Sequence, residues 1–199
     1  MSRLDFYFSV ISPYTYLALP SFKALAEARG LEVTWKPFDI AALYGRTGGT
    51  PLGERHPSRQ AYRLADLGRQ ARRAGLPINV TPAFFPTNPA PASYAIIAAQ
   101  KAGGGDMFAL VSAVLTACWA GEANIAEDDV VKAALAGAGF DPGLADSGLF
   151  TGAEVYGRNL EEAVIAGVFG APSFVTEDGA LFWGQDRLAD LADHLAGAG

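Results

Sequence analysis

The first 38 residues constrain the fold more than any other stretch. Leu4-Asp5-Phe6-Tyr7-Phe8-Ser9 is short, aromatic and apolar, the composition of a buried strand. Ser12-Pro13 breaks it off. From Tyr14 to Arg29 the apolar residues Tyr16, Leu17, Leu19, Phe22, Leu25 and Ala26 recur at three- and four-residue spacings, which predicts a helix. Pro20 is expected to kink that helix and Gly30 to end it. Leu31 to Phe38 alternates apolar with polar and reads as a second strand. Strand, helix and strand in so short a span form a βαβ unit, whose two strands run parallel.

The rest of the chain changes character and then returns. Thr47 to Pro57 is rich in Gly, Thr and Pro and reads as a loop. Ser58 to Ala74 reads as an arginine-rich helix, stopped by Gly75-Leu76-Pro77. Pro82, Pro86, Pro89 and Pro91 mark an ordered loop. Ala92–Ala102, Met107–Ala120, Asp128–Ala138 and Gly152–Gly167 are predicted helices, so the middle of the chain holds no convincing strand. Ser173-Phe174-Val175-Thr176 and Ala180-Leu181-Phe182-Trp183 then flank Glu177-Asp178-Gly179, a strong hairpin signal. Arg187 to Ala196 closes with Leu188, Leu191 and Leu195 on one helical face.

Composition narrows the function. Half of the 199 residues are hydrophobic and 18% are charged, a globular balance. The net charge of −6 argues against binding a nucleic-acid backbone. The stretch Met1–Val10 has no extended apolar run behind Arg3 and does not read as a signal peptide, and no segment approaches a membrane span. Cys118 is the one cysteine, so no internal disulfide forms and a reducing cytoplasm is expected. His56, His194 and Cys118 offer no metal-ligand spacing, and Gly103-Gly104-Gly105 does not open a phosphate loop. Cys118 reads as a small buried hydrophobe and His56 as structural.

Several local motifs follow this layout in order. They are Asp5-Phe6-Tyr7-Phe8 with Ser12-Pro13-Tyr14-Thr15-Tyr16-Leu17, His56-Pro57-Ser58-Arg59 with Tyr62, and Phe84-Phe85-Pro86-Thr87-Asn88. Gly167-Val168-Phe169-Gly170-Ala171-Pro172 and Phe182-Trp183-Gly184-Gln185-Asp186-Arg187 complete the set. In this order and spacing the chain resembles the 2-hydroxychromene-2-carboxylate isomerases of the DsbA-like thioredoxin superfamily, relatives of kappa-class glutathione transferases. The resemblance implies an α/β fold. A thioredoxin-like core would span residues 1–46 and 152–199, with an all-helical insertion at residues 47–151.

It also implies a glutathione site. Redox members of the superfamily carry Cys-x-x-Cys where this chain reads Ser12-Pro13-Tyr14-Thr15, so dithiol exchange is excluded there. A helix N-terminus still favours an anion, including a thiolate. The resemblance makes Ser12 the catalytic residue, donating a hydrogen bond to a glutathione thiolate; as a bare serine it would simply cap the helix. It implies a cis Ala171–Pro172 bond whose Ala171 backbone meets glutathione, where an ordinary strand-start proline is the plain alternative. Trp183, Gly184, Gln185 and Asp186 are implied to bind the γ-glutamyl end, Asp186 pairing with its ammonium or serving as an N-cap. Arg59 stands where relatives place a basic residue near the glycyl carboxylate, or on a solvated face.

Tyr44, Phe85 and Asn88, with Phe84, are candidate residues of a substrate pocket, Phe84 with core packing as its other reading. Relatives often carry Asn after Thr-Gly, and here Gly49 takes that place. Thr50 is the neighbour that would replace the lost contact. The implied reaction is glutathione-dependent isomerisation of a small aromatic keto acid by a homodimeric enzyme. A kappa-like transferase that keeps its adduct, and a non-catalytic binding module, are the alternatives.

Overall fold

The computed structural model describes residues 2–197. The chain opens with β1 (Arg3–Phe8), α1 (Pro13–Arg29) and β2 (Glu32–Pro37). Seven helices follow: α2 (Ile40–Thr47), α3 (Pro57–Ala74), α4 (Ala90–Ala102), α5 (Met107–Trp119), α6 (Asp128–Gly137), α7 (Leu144–Ser147) and α8 (Leu149–Ile165). The hairpin β3 (Ser173–Thr176) and β4 (Leu181–Trp183) then leads through a single 3₁₀ turn, Gln185–Arg187, into α9 (Leu188–Leu195). The four strands form one sheet in the order β2-β1-β3-β4. β1 and β2 are parallel, while β3 runs antiparallel to both β1 and β4. This is the thioredoxin-like α/β core with helical insertion that the sequence implied.

The alternation of β1 explains the layers. Phe6 and Phe8 face one way and Tyr7 the other. On the Phe6 face an aromatic cluster fills the core: Phe6 lies 4.8 Å from Phe8, 4.7 Å from Phe22 of α1 and 5.1 Å from Phe174 of β3, ring centre to centre. Burying each such side chain contributes about 1.5–3 kcal/mol. The same cluster continues into α4, α5 and α6 through Ile96, Leu115 and Leu135. On the opposite face Tyr7 packs with Phe38, Leu43, Ala163 and Val168, under α2 and α8.

β2 is an edge strand, and the helical insertion covers it. Gln100 of α4 imitates a neighbouring strand: its Oε1 accepts from the Trp35 N–H (2.6 Å) and its Nε2 donates to the Trp35 carbonyl (3.2 Å). Asn159 of α8 donates to the Pro37 carbonyl at 2.9 Å. Beside it the Lys36 ammonium pairs with Asp5 (2.7 Å) and Glu162 (2.8 Å) and donates to the Tyr7 hydroxyl (3.2 Å). Burial disfavours that charge, but hydrogen bonds to both carboxylates and to Tyr7 prevail, so the Lys36 pKa stands above its ordinary value.

Pro20 lies inside α1, as read, and stands on its exposed side. Two elements depart from the sequence reading. α2 was not expected: it buries only Leu43, and Asp39 caps it by accepting from the Ala41 and Ala42 N–H groups at 2.9 and 3.1 Å. α8 begins at Leu149, ahead of Gly152, and that glycine lies where a Cβ would stand 2.4 Å from Tyr94 Cβ. No described helix is long and apolar enough to cross a membrane.

Candidate functional site

The site begins at the N-terminus of α1. Ser12 has extended backbone angles (φ −87°, ψ 118°), and its Oγ accepts from the Thr15 N–H at 3.2 Å. It is therefore a helix cap. It does a second thing that a cap does not need: its hydroxyl donates across the fold to the Ala171 carbonyl at 3.3 Å. The Ala171–Pro172 bond is cis, as the resemblance implied. Two backbone donors beside Ser12, the N–H groups of Tyr14 and Ala171, reach no acceptor among the described residues. Pro13 has no N–H, so Tyr14 carries the first free donor of the helix.

A cavity of about 720 Å³ opens in front of this junction. That volume suits a small organic ligand. Tyr14, Arg55 and Asp66 form part of its wall, and Ala171, Trp183 and Asp186 another part. Gly184 and Gln185 also face it, so five of the residues implied for glutathione converge here. Trp183 is half exposed and meets the Phe169 ring edge-on at 4.7 Å, giving the opening an apolar lip. Gly170 permits this, since a Cβ there would stand 2.3 Å from the Trp183 Nε1. Gly184 has a φ of +115°, a backbone state that side chains rarely adopt.

The ionisable groups are distributed by charge. Asp186 pairs with Arg187 at 2.7 Å rather than capping α9, which starts at Leu188 without a side-chain cap. The Tyr14 hydroxyl donates to Asp66 at 3.2 Å. Burial, reinforced by the Asp66 charge, pushes the Tyr14 pKa up to about 12, so it stays a phenol donor at neutral pH. Among the described residues no cluster of His, Cys, Asp or Glu could hold a metal ion.

Other implied residues stand behind or away from the cavity. Tyr44, Gly49 and Thr50 gather around Arg55: the Tyr44 hydroxyl lies 3.4 Å from the guanidinium, and the Thr50 carbonyl accepts from Arg55 Nε at 2.8 Å. Gly49 leaves room for the Tyr44 ring, since a Cβ would stand 2.2 Å from its Cδ1. Phe85 packs on Trp119, and the Arg63 guanidinium lies over both rings at 5.8 and 6.0 Å. Phe84 is the exposed member of the pair, which reverses its core-packing reading.

Arg59 and Asn88 depart from expectation. Arg59 is exposed and does not reach the cavity wall. The Asn88 side chain is outside the cavity wall, and its Oδ1 accepts from the Ala90 N–H at 3.0 Å at the start of α4. The sequence reading missed Arg55, Asp66 and Phe169 in the cavity wall and Arg63 beside it. Phe169 stands two residues before Ala171, and Arg63 four after Arg59, so the residue types were in view and only their direction was not. His56 and Cys118 are structural: the His56 Nδ1 accepts from the Ser58 N–H, and Cys118 is buried.

Comparison with known proteins agrees with this fold. Residues 3–196 match the DSBA-like thioredoxin domain. The chain is 30% identical to the 2-hydroxychromene-2-carboxylate isomerase of Sphingobium xenophagum, over 96% of this chain and 97% of that protein. It is 34% identical to glutathione S-transferase kappa 1 of Caenorhabditis elegans, over 43% of this chain and 38% of that one. Among solved structures it superposes on a 2-hydroxychromene-2-carboxylate isomerase with a TM-score of 0.80 at 24% identity, covering 98% of this chain and 95% of the other. A cytosolic disulfide reductase of Pseudomonas aeruginosa, solved with GSH, gives a TM-score of 0.67 at 20% identity, covering 97% and 95%. With the fold, the serine in place of the redox cysteines and full-length similarity in hand, the chain belongs to the DsbA-like thioredoxin family and, within it, to the 2-hydroxychromene-2-carboxylate isomerases.

Proposed function

We propose that the chain is a glutathione-dependent isomerase acting on 2-hydroxychromene-2-carboxylate or a similar aromatic keto acid, with Ser12 as the hydrogen-bond donor to the thiolate. The observation that carries this reading is the hydrogen bond from Ser12 to Ala171 of the cis Ala171–Pro172 bond, directly behind a cavity whose wall holds Tyr14, with its free N–H, and Ala171 itself. The donor set fits a tripeptide thiol. Asp186 suits an ammonium, Arg187 and Arg55 suit carboxylates, and the Ala171 N–H suits a peptide carbonyl. The glutathione named with two of the similar proteins supports the same fit.

When bound, glutathione would supply a thiolate for reversible addition to an unsaturated carbon of the substrate. The chain's own share is electrostatic and positional. The N-terminal end of α1 lowers the energy of an anion placed before it. A free thiol titrates at about 8.5, so a shift of one or two units at this helix end multiplies the thiolate present at neutral pH. The Tyr14 N–H, and the Ser12 O–H once it turns from the Ala171 carbonyl, are the donors this reading assigns to that charge. No base contacts Ser12 among the described residues, so it acts as a donor and not as an activated nucleophile. Phe169 and Trp183 offer the aromatic ring an apolar surface.

The test is Ser12→Ala. It should keep the fold and lose about 10²-fold in glutathione-dependent turnover, with a matching loss of the thiolate's ultraviolet absorbance on binding. Unchanged turnover would remove Ser12 from this role. Chromatography of the products separates the reactions, because a stable glutathione adduct identifies a transferase instead.

A further inference from the structure

Opening a cyclic hemiketal moves one proton between two oxygens. Under the proposed function the substrate, 2-hydroxychromene-2-carboxylate, is such a ring, since its C2 carries both a hydroxyl and the ring oxygen. The 2-hydroxyl gives up its proton and the electrons of that O–H bond complete a carbonyl at C2. The bond from C2 to the aryl oxygen breaks, and its electron pair stays on that oxygen, which then takes a proton to become a phenol. A wall group that accepts a proton and returns it speeds both halves.

The cavity wall holds few groups able to do so. Its ionisable residues are Tyr14, Arg55, Asp66, Asp186 and Arg187. A guanidinium does not give up its proton in a protein. Asp186 is exposed and paired with Arg187 at 2.7 Å. Tyr14 and Asp66 remain, and they are joined: the Tyr14 hydroxyl donates to Asp66 Oδ2 at 3.2 Å. Gln70 and Arg69 engage the other carboxylate oxygen, Oδ1, at 3.3 and 3.6 Å, so Oδ2 serves Tyr14 alone among the described residues. Nothing among those residues donates to the Tyr14 oxygen, whose lone pairs are free. The Asp66 side chain is only 17% exposed, which shields the pair from exchange with bulk water. The bond also ties α1 to α3, but a tie alone requires no place in the cavity wall.

We infer that Tyr14 and Asp66 form a proton relay that opens the substrate ring. The Tyr14 oxygen takes the proton of the 2-hydroxyl while its own proton passes to Asp66 Oδ2. The relay then runs backward and protonates the aryl oxygen, so both residues end as they began. Tyr14 is the catalytic residue, and Asp66, acting through it, is the positioning residue that holds the proton in transit. The inference deepens the proposed function, on which it rests for the substrate. It uses no thiol, so its chemistry is separable from that of Ser12.

Two substrates test it on the whole protein with glutathione: 2-hydroxychromene-2-carboxylate, and cis-benzylidenepyruvate, which lacks the aryl hydroxyl and has no ring to open. Tyr14→Phe and, separately, Asp66→Asn should lower kcat on the cyclic substrate about 10²-fold, and at least tenfold more than on the ring-free one. Asp66→Glu should regain part of the loss, while Ser12→Ala should slow both substrates alike. Without glutathione, wild type should still speed exchange between the closed and cis-open forms, as NMR exchange spectroscopy reads it, and Tyr14→Phe should not. Equal losses on the two substrates in both variants, or ring exchange as fast with Tyr14→Phe as with wild type, overturns the relay. If wild type speeds ring exchange but glutathione yields no trans product from either substrate, the relay stands and the glutathione reading falls.

Discussion

Gly49 occupies a position where the family pattern often has asparagine, and the cost of any side chain there follows from the Tyr44 ring. A Cβ on Gly49 would stand 2.2 Å from Tyr44 Cδ1, 2.7 Å from Cγ and 3.0 Å from Cε1. Ordinary contact needs the ring to retreat by more than about an ångström. Overpacking of this kind costs about 1–3 kcal/mol. Tyr44 is only half-buried and can swing toward solvent, which favours the lower half of that range. The swing would also loosen its contact with Arg55. Gly49→Ala should therefore lose about 1–2 kcal/mol, a Tm drop of about 3–6 °C for a chain of this size. With Tyr44→Ala already in place, the sign should reverse. Gly49 has no positive φ, so alanine then gains about 0.4–1 kcal/mol by restricting the unfolded chain. Denaturant unfolding of wild type, both single variants and the double variant measures the coupling directly. An equal loss from Gly49→Ala in both backgrounds would refute the account.

Three further outcomes follow from named contacts. Lys36→Met leaves Asp5 and Glu162 facing each other beside Tyr7 and should cost about 2 kcal/mol, discounted because both carboxylates are partly exposed. Since the folded ammonium titrates above the unfolded one, its contribution is full below about pH 10 and is lost only as pH rises through the folded value, so unfolding midpoints of the two proteins should differ equally at neutral and mildly alkaline pH. The Cys118 thiol, pushed up to about 12 mainly by burial, should resist iodoacetamide in the native protein and take up one equivalent after unfolding, as mass spectrometry would show. Ser12→Ala should cost about 1 kcal/mol as a lost cap and Ser12→Gly only a few tenths, although both remove the hydroxyl. Thermal melts together with turnover would then separate capping from chemistry.

The parts legible in the sequence are those in which neighbouring residues decide the outcome. The aromatic alternation of β1 places Phe6 and Tyr7 on opposite faces without help from the rest of the chain. Asp178-Gly179 sets the hairpin locally, with the Gly179 N–H donating to the Thr176 carbonyl at 2.9 Å. Ser12, Ala171 and Asp186 came from the resemblance, and the structure sets each at an element boundary, with Ala171 and Asp186 in the cavity wall. α2 was not, because a helix that buries only Leu43 leaves almost no periodic signal. Arg55 and Arg63 were hidden for a related reason. Arginines on a polar helix and its preceding loop read as solvated, and only the packing of α3 against Phe85 and Trp119 turns one of them inward. Asn88 shows the local competition at such a residue, since its Oδ1 serves the turn at the start of α4.

The Ser12 hydroxyl has one proton and two engagements, and this limits what it can do. Its oxygen accepts from the Thr15 N–H, which fixes the side chain at the helix end whatever else is bound. Its proton goes to the Ala171 carbonyl at 3.3 Å, a long contact for a hydroxyl donor. A thiolate placed before α1 competes with that carbonyl for the same proton, and an ionised acceptor binds a donor about twice as strongly as a neutral one. Turning the proton toward sulfur frees the Ala171 carbonyl beside its own unengaged N–H, so both backbone groups of Ala171 become available to the peptide that carries the thiol. On the proposed reading, thiolate and peptide recognition are coupled through one hydroxyl rotation. Removing the Ser12 hydroxyl would then free that carbonyl permanently while weakening the hold on sulfur. The loss in Ser12→Ala should accordingly fall on thiolate formation more than on tripeptide affinity.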